Sequence, residues 1–217
     1  MQDKLSLLEP DAHYHIYNRA NGNDKLFKCK ENYYIFLKKY SEFISPICDT
    51  FSYCLMPNHF HFLVKIKSEE ILRPIYNPNL LFLTPKDLNS PKDSDLKKFI
   101  SKKFSNFFSS YTQYFNLINE RKGSLFMKNF KRKKVNNSNY RNKLIHYIHF
   151  NPVEAGLTKN PYNYEFSSLS KLISNQTSLL DRKEVISWFD DLENFKQIHK
   201  NPCTVLRLDQ NIFPEFE

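Results

Sequence analysis

The chain has 217 residues, 41% of them hydrophobic and 16% aromatic, which is material for one sizeable core with appendages and too little length for two full domains. With 20 Phe and 13 Tyr it is not a disordered chain. Lys and Arg outnumber Asp and Glu by 32 to 23, a formal +9, which implies an anionic partner without choosing between nucleic acid and a membrane surface.

Cys29, Cys48, Cys54 and Cys203 lie far apart with no CxxC, so neither a zinc knuckle nor a disulfide framework is indicated, and they read as reduced thiols. The opening "MQDKLSLLEPDAHYH" has no apolar stretch of signal-peptide length, and no apolar run approaches a membrane span. A cytoplasmic location is the default expectation.

In chain order, "AHYHIYNR" alternates in the manner of a strand, and "ANGND" breaks it at Gly22. Glu31 to Ile44 reads as an amphipathic helix with Tyr34, Leu37, Tyr40 or Ser41, and Ile44 on one face. "DTFSYCLM" and "HFHFLVKI" form a hairpin about Pro57-Asn58. Residues 67–95, interrupted by Pro74, Pro78, Pro85 and Pro91, read as an irregular insertion. Ser94 can then cap a long helix carrying Phe99, Lys103, Asn106, Phe107, Tyr111, Tyr114 and Ile118 at helical spacing, ended by Gly123. "SLFMKNFKRKKV" predicts a fourth strand. "SNYRNKLIHYIHFNPVEAGL" predicts a helix capped by Ser138, broken near Asn151-Pro152 and closed at Gly156.

The order β-α-β-β-α-β followed by a helix is that of an α+β, ferredoxin-like antiparallel sheet. Residues 12–158 form the expected main domain, and residues 159–217 a helical C-terminal extension packing on it, with a short amphipathic helix around Trp188.

The positive charge is local. Between Lys97 and Val153 there are 13 basic residues and one acid, Glu120, so this segment alone carries about +12 against +9 for the whole chain. A run so one-sided and so rich in aromatics fits a phosphate-binding face as well as a solvated one.

On a strand, residues two apart share a side, so His59 and His61 occupy one face while Phe60 and Phe62 occupy the other. Two neutral imidazoles at this spacing can ligate one metal ion if a third donor arrives from elsewhere. A bare pair of this kind is more often two ordinary hydrogen-bonded histidines, so context decides. In "LIHYIHFNP", Tyr147 and Asn151 stand four apart and project from one side of a helix, placing a phenol beside a carboxamide. His146 and His149 point elsewhere, as backbone or phosphate contacts at best.

The strings "YHIYNRANGNDKLF", "MPNHFHFLVKI", "GSLFMKNFKRKKV" and "YIHFNPVEAGL" followed by "YEFSS" resemble the REP-associated tyrosine transposases, within the wider HUH group of single-strand transposases and nucleases. The resemblance runs from about Tyr14 to Ser168. It implies the same ferredoxin-like sheet, Tyr147 as nucleophile, and His59, His61 and Asn151 as ligands of a Mg²⁺ or Mn²⁺ ion. It also implies cleavage and strand transfer of single-stranded, hairpin-containing DNA through a 5′-phosphotyrosine. Asn18 and Arg19, matching "YNR", are candidate DNA contacts near the site. Lys97, Lys98, Lys102 and Lys103 on the long helix, with Lys131, Arg132, Lys133 and Lys134 on the fourth strand, are candidates for tracking the backbone. Neighbouring aromatics that stack on unpaired bases contribute about 1 to 3 kcal/mol each. Membership leaves open a monomer or a homodimer. The alternative is a non-catalytic single-stranded or structured RNA- or DNA-binding module on the same fold, and a further rival is a metal-dependent hydrolase in which water attacks.

Overall fold

In the computed structural model, residues 7–77, 93–174 and 177–201 are described. The chain is α+β. Strands β1 (His13–Arg19), β2 (Cys48–Met56), β3 (His59–Ile66) and β4 (Lys131–Val135) form one antiparallel sheet in the order β2-β3-β1-β4, the ferredoxin-like topology the element order implies.

Helices α1 (Lys30–Phe43) and α3 (Asp93–Ile118) cover one face. That face collects the aromatic residues: Tyr40 stacks on Phe62 at 4.3 Å, and Phe36 meets Phe107 at 4.8 Å between ring centroids. Tyr40 and Ile44 are buried as expected, but the first turns bring Tyr33 and Phe36 inward, one position before the expected Tyr34 and Leu37, and Tyr34 faces solvent. The reason is the cap. Asn32 reaches back to accept the Lys28 amide at 2.8 Å, and this buries Asn32 and sets the rotation of the helix. On α3 the inward residues are Leu96, Ile100, Phe104, Phe107, Tyr111 and Phe115, while Ile118 is exposed. The helix begins at Asp93, so Ser94 lies within it and not at its cap.

The expected irregular insertion 67–95 is corrected in part. Glu69–Tyr76 is helix α2, with acids at its first turn, Arg73 near its end paired with Glu69, and Leu72 buried toward α3. Pro74 removes one backbone bond near the end of a helix this short, which does not break it. The rest of that insertion, residues 78–92, lies outside the described residues.

Helix α4 (Ser138–Glu154) covers the other sheet face against β2 and β3. Its cap is Asn137, which accepts the Tyr140 amide at 2.7 Å. It is not broken at Asn151-Pro152, because Pro152 falls in the last turn and forfeits a single bond there. Gly156, at φ 70°, closes the helix as expected.

Beyond residue 158 come a 3-10 turn (Pro161–Asn163) and the short helices α5 (Leu169–Ile173), α6 (Arg182–Ser187) and α7 (Leu192–Ile198). This segment closes the β2 edge of the sheet: Leu55 N–H donates to Phe166 O, Ser168 N–H to Tyr53 O, and Asp181 N–H to Thr50 O, at 3.0, 2.9 and 2.9 Å. Residues 202–217 of the expected extension, Cys203 among them, lie outside the described residues. No described helix is long and apolar enough to cross a membrane.

His146 and His149 are buried and tie α4 to this segment: His146 makes the expected backbone contact, Nε2 to Asn201 O at 3.0 Å, whereas His149 meets side chains. His199 Nδ1 donates to Phe195 O at 2.8 Å, which leaves its Nε2 to accept from His149 Nδ1 at 2.9 Å. His149 Nε2 in turn accepts from Ser168 Oγ at 2.8 Å, close to Ser52 Oγ at 3.1 Å. One carbonyl thus fixes every tautomer in a chain of buried groups running from α7 to β2. His149→Leu is expected to lower unfolding free energy by about 2 to 4 kcal/mol in a urea titration, since His199 Nε2 loses its partner and Ser168 Oγ keeps just the Tyr53 amide and the longer contact to Ser52.

Candidate active site

The alternation of β3 places His59 and His61 on the face that α4 covers, with Phe60 and Phe62 in the core on the other side. Register extends the pattern to β1: Arg19 lies opposite His59 and Tyr17 opposite His61, so His15, Tyr17 and Arg19 share the histidine face. Tyr147 and Asn151 of α4 descend on this row. The Tyr147 ring stands edge-on to His61 of its own chain, 5.5 Å between centroids. Asn151 Oδ1 lies 3.0 Å from His59 Nε2, and Asn151 Nδ2 lies 3.5 Å from His61 Nε2. The four residues expected to form the site are therefore together.

Both histidines have their other ring nitrogen engaged. His61 Nδ1 is 2.9 Å from His15 Nε2, and His59 Nδ1 is 2.8 Å from Asn58 Oδ1. With Nδ1–H donated in each case, both Nε2 lone pairs turn toward the Asn151 carboxamide. His15 was not singled out from sequence, although "HYHIY" carries the same two-residue alternation as "HFH"; reading β1 by the rule applied to β3 finds it.

The electrostatics keep these rings neutral. Burial drives His15 down to about 3; burial, then His15 and His59, hold His61 well below the usual value; burial and the nearby Arg19 lower His59, partly opposed by the bond to Asn151. In the tautomer that keeps its proton on Nε2, His59 donates to Asn151 Oδ1 at 3.0 Å; in the one that donates Nδ1–H to Asn58, the Nε2 lone pair and Asn151 Oδ1 are both left as donors for a cation. The donor set of His59, His61 and Asn151 fits a divalent metal. It has two imidazoles and a carboxamide; no group of three His, Cys, Asp or Glu side chains able to hold a metal occurs among the described residues. Imidazole suits Mn²⁺ better than Mg²⁺.

The remaining candidates divide between the two faces. Arg19 lies beside His59. Asn18 points the other way, donating Nδ2–H to Met127 O at 3.2 Å, the strand-end role of a structural asparagine. Pairing with β1 puts Lys131 and Lys133 on the histidine face and Arg132 and Lys134 on the opposite one. Lys97 and Lys134 are both paired with Glu9, Lys98 with Asp95, and Lys103 lies over the Phe99 ring at 5.3 Å; with Lys102 they belong to, or sit beside, the α3 side of the sheet.

The chain has seven histidines, and burial lowers all of them. Below the free value near 6.5 the unfolded chain binds protons that the folded chain refuses, so stability is present above that pH and is lost as pH falls toward the folded values. His15 and His199, both held near 3, together cost about 2 kcal/mol between pH 6.5 and 5.5. Urea midpoints are expected to drop over that interval.

No family model and no curated protein matches the chain. Among solved structures it is similar to a REP-associated tyrosine transposase bound to a REP hairpin, at 12% identity and a TM-score of 0.48, over 80% of this chain and 90% of that one.

Proposed function

We propose that the chain is a metal-dependent single-strand DNA transesterase of the type its motifs resemble, cleaving and rejoining strands through a tyrosine at residue 147. The observation that carries this reading is the meeting of one helix with one strand: Asn151 Oδ1 at 3.0 Å from His59 Nε2, and the Tyr147 ring against His61.

In this reading Tyr147 Oη attacks phosphorus, the P–O3′ bond breaks, and the tyrosyl proton is balanced by one gained at the departing 3′-oxygen. The products are a 5′-phosphotyrosine and a free 3′-hydroxyl. The linkage is conserved, so a second 3′-hydroxyl reverses the step without ATP. His59, His61 and Asn151 would hold Mg²⁺ or Mn²⁺, which would supply Lewis-acid polarisation of the scissile phosphate. Arg19 adds a fixed positive charge beside His59. His15 and Asn58 hold the two imidazoles in the tautomers that keep Nε2 available.

The rival binding module needs an open sheet face. Here α1 and α3 cover one face and α4 the other, with His15 and Tyr17 at 3% and 7% exposure, so no observation favours it.

The test is incubation of hairpin-containing single-stranded DNA with Mn²⁺ or Mg²⁺, followed by denaturing electrophoresis. A covalent protein–DNA adduct is expected, abolished by EDTA and by Tyr147→Phe, and reduced on the order of a hundred-fold or more in His61→Ala and Asn151→Ala. Cleavage that survives Tyr147→Phe without an adduct assigns the attack to water. Tight binding with no cleavage in either metal returns the chain to the binding module. His15→Phe, which removes the partner of His61 Nδ1, is expected to weaken Mn²⁺ binding about 10- to 100-fold by calorimetry.

A further inference from the structure

Strand β4 is an edge of the sheet, and its run Lys131-Arg132-Lys133-Lys134 sends cations to both faces. Lysines on an edge strand discourage edge-to-edge pairing, which accounts for Lys134, paired with Glu9. Arg132 is different. Its guanidinium lies 4.9 Å from the Phe130 ring centroid, donates to Ser101 Oγ at 3.1 Å, and lines a cleft of about 460 Å³ between α3 and the segment 124–130.

We propose that this cleft receives one nucleotide of a single strand that passes over the β4 edge, its base between α3 and segment 124–130 and its phosphate against Arg132 and Lys128. The inference rests on the DNA substrate proposed above and extends it to a sheet face that carries none of the reacting groups.

The volume falls within the range of about 300 to 1,000 Å³ typical of small-ligand sites. Phe130 and the edge of the largely buried Phe108 give the cleft an apolar wall, and Ser105 and Gln113, both exposed on α3, supply donors and acceptors for a base edge. The outer wall is preformed: Met127 N–H donates to Arg19 O at 2.9 Å, Asn18 Nδ2–H to Met127 O at 3.2 Å, and Ser124 Oγ to Phe126 O at 2.7 Å. A site that is already shaped loses little entropy when it binds. Its connection to the reacting groups is short in sequence, since Asn18 lines the cleft and the next residue, Arg19, lies opposite His59. Lys131 and Lys133 on the histidine side and Arg132 on the cleft side mark a cationic path over the edge between them.

Ser105→Trp plugs the cleft from an exposed helix position, and Ser105→Ala leaves it open. Full-length protein is titrated by fluorescence anisotropy with a fluorescein-labelled, hairpin-free 20-mer of single-stranded DNA, and separately by calorimetry with the four deoxynucleoside monophosphates. Ser105→Trp is expected to weaken the 20-mer about ten-fold at unchanged melting temperature, with Ser105→Ala within two-fold of wild type, and Arg132→Gln is expected to flatten the salt dependence. Mononucleotide binding lost in Ser105→Trp assigns the cleft to free nucleotides; strand binding alone that responds to Ser105→Trp assigns it to a base carried by the strand. Wild-type affinity in Ser105→Trp overturns the inference. A Tyr147 adduct with an insensitive cleft removes this inference alone, whereas a sensitive cleft with no adduct removes the transesterase reading and leaves the cleft.

Discussion

The molecule depends on the seating of α4 on the histidine face of the sheet. Turns of that one helix point different residues at different tasks: Tyr147 and Asn151 toward β3, His149 toward β2 and the C-terminal segment. A shift of the helix along its axis would break both sets at once. Buried polar groups that lose their partners cost far more than neutral packing does, so the histidine chain acts as a register pin. The geometry of the proposed site is held by groups that take no part in the proposed reaction.

That pin is built without acids. Burial sets every histidine low, with no carboxylate among the described residues raising any of them, and a chain of carbonyl, imidazole and hydroxyl groups fixes the tautomers of His199 and His149. Neutral imidazoles suit both tasks: around His149 they avoid charge in an interior with no counter-ion, and around His59 and His61 they leave lone pairs for a cation. The cost is sensitivity to acid. The sheet edges are handled separately, β2 by pairing with residues 166–168 and 180–181, and β4 by cations.

The topology was legible because period-two and period-3.6 patterns survive in this chain; spacing put Tyr147 and Asn151 on one side of a helix, and their meeting with the histidine pair was legible through the motif resemblance. What failed was local. Helix α2 was obscured by counting prolines, although "SEEILR" carries a capping serine position, acids in the first turn and arginine near the end. The rotation of α1 depends on where Asn32 caps, a choice of one residue that periodicity does not resolve. His146 and His149 required knowledge of what packs above α4, and that comes from residues some fifty positions later in the chain.

The basic segment shows why net charge and charge placement differ. Read linearly, Lys131 to Lys134 is one patch; the pleat divides it into two pairs on opposite sides of an edge. Glu9 then holds Lys97 and Lys134 together on the α3 side, so much of the cationic count there is spent on packing the N-terminal segment against α3 and β4. The charge left to act on a ligand lies along the edge itself, where Arg132 faces the cleft and Lys131 and Lys133 face the histidine side. A polyanion that touches both must cross β4, the strand that pairs in the sheet on one side alone.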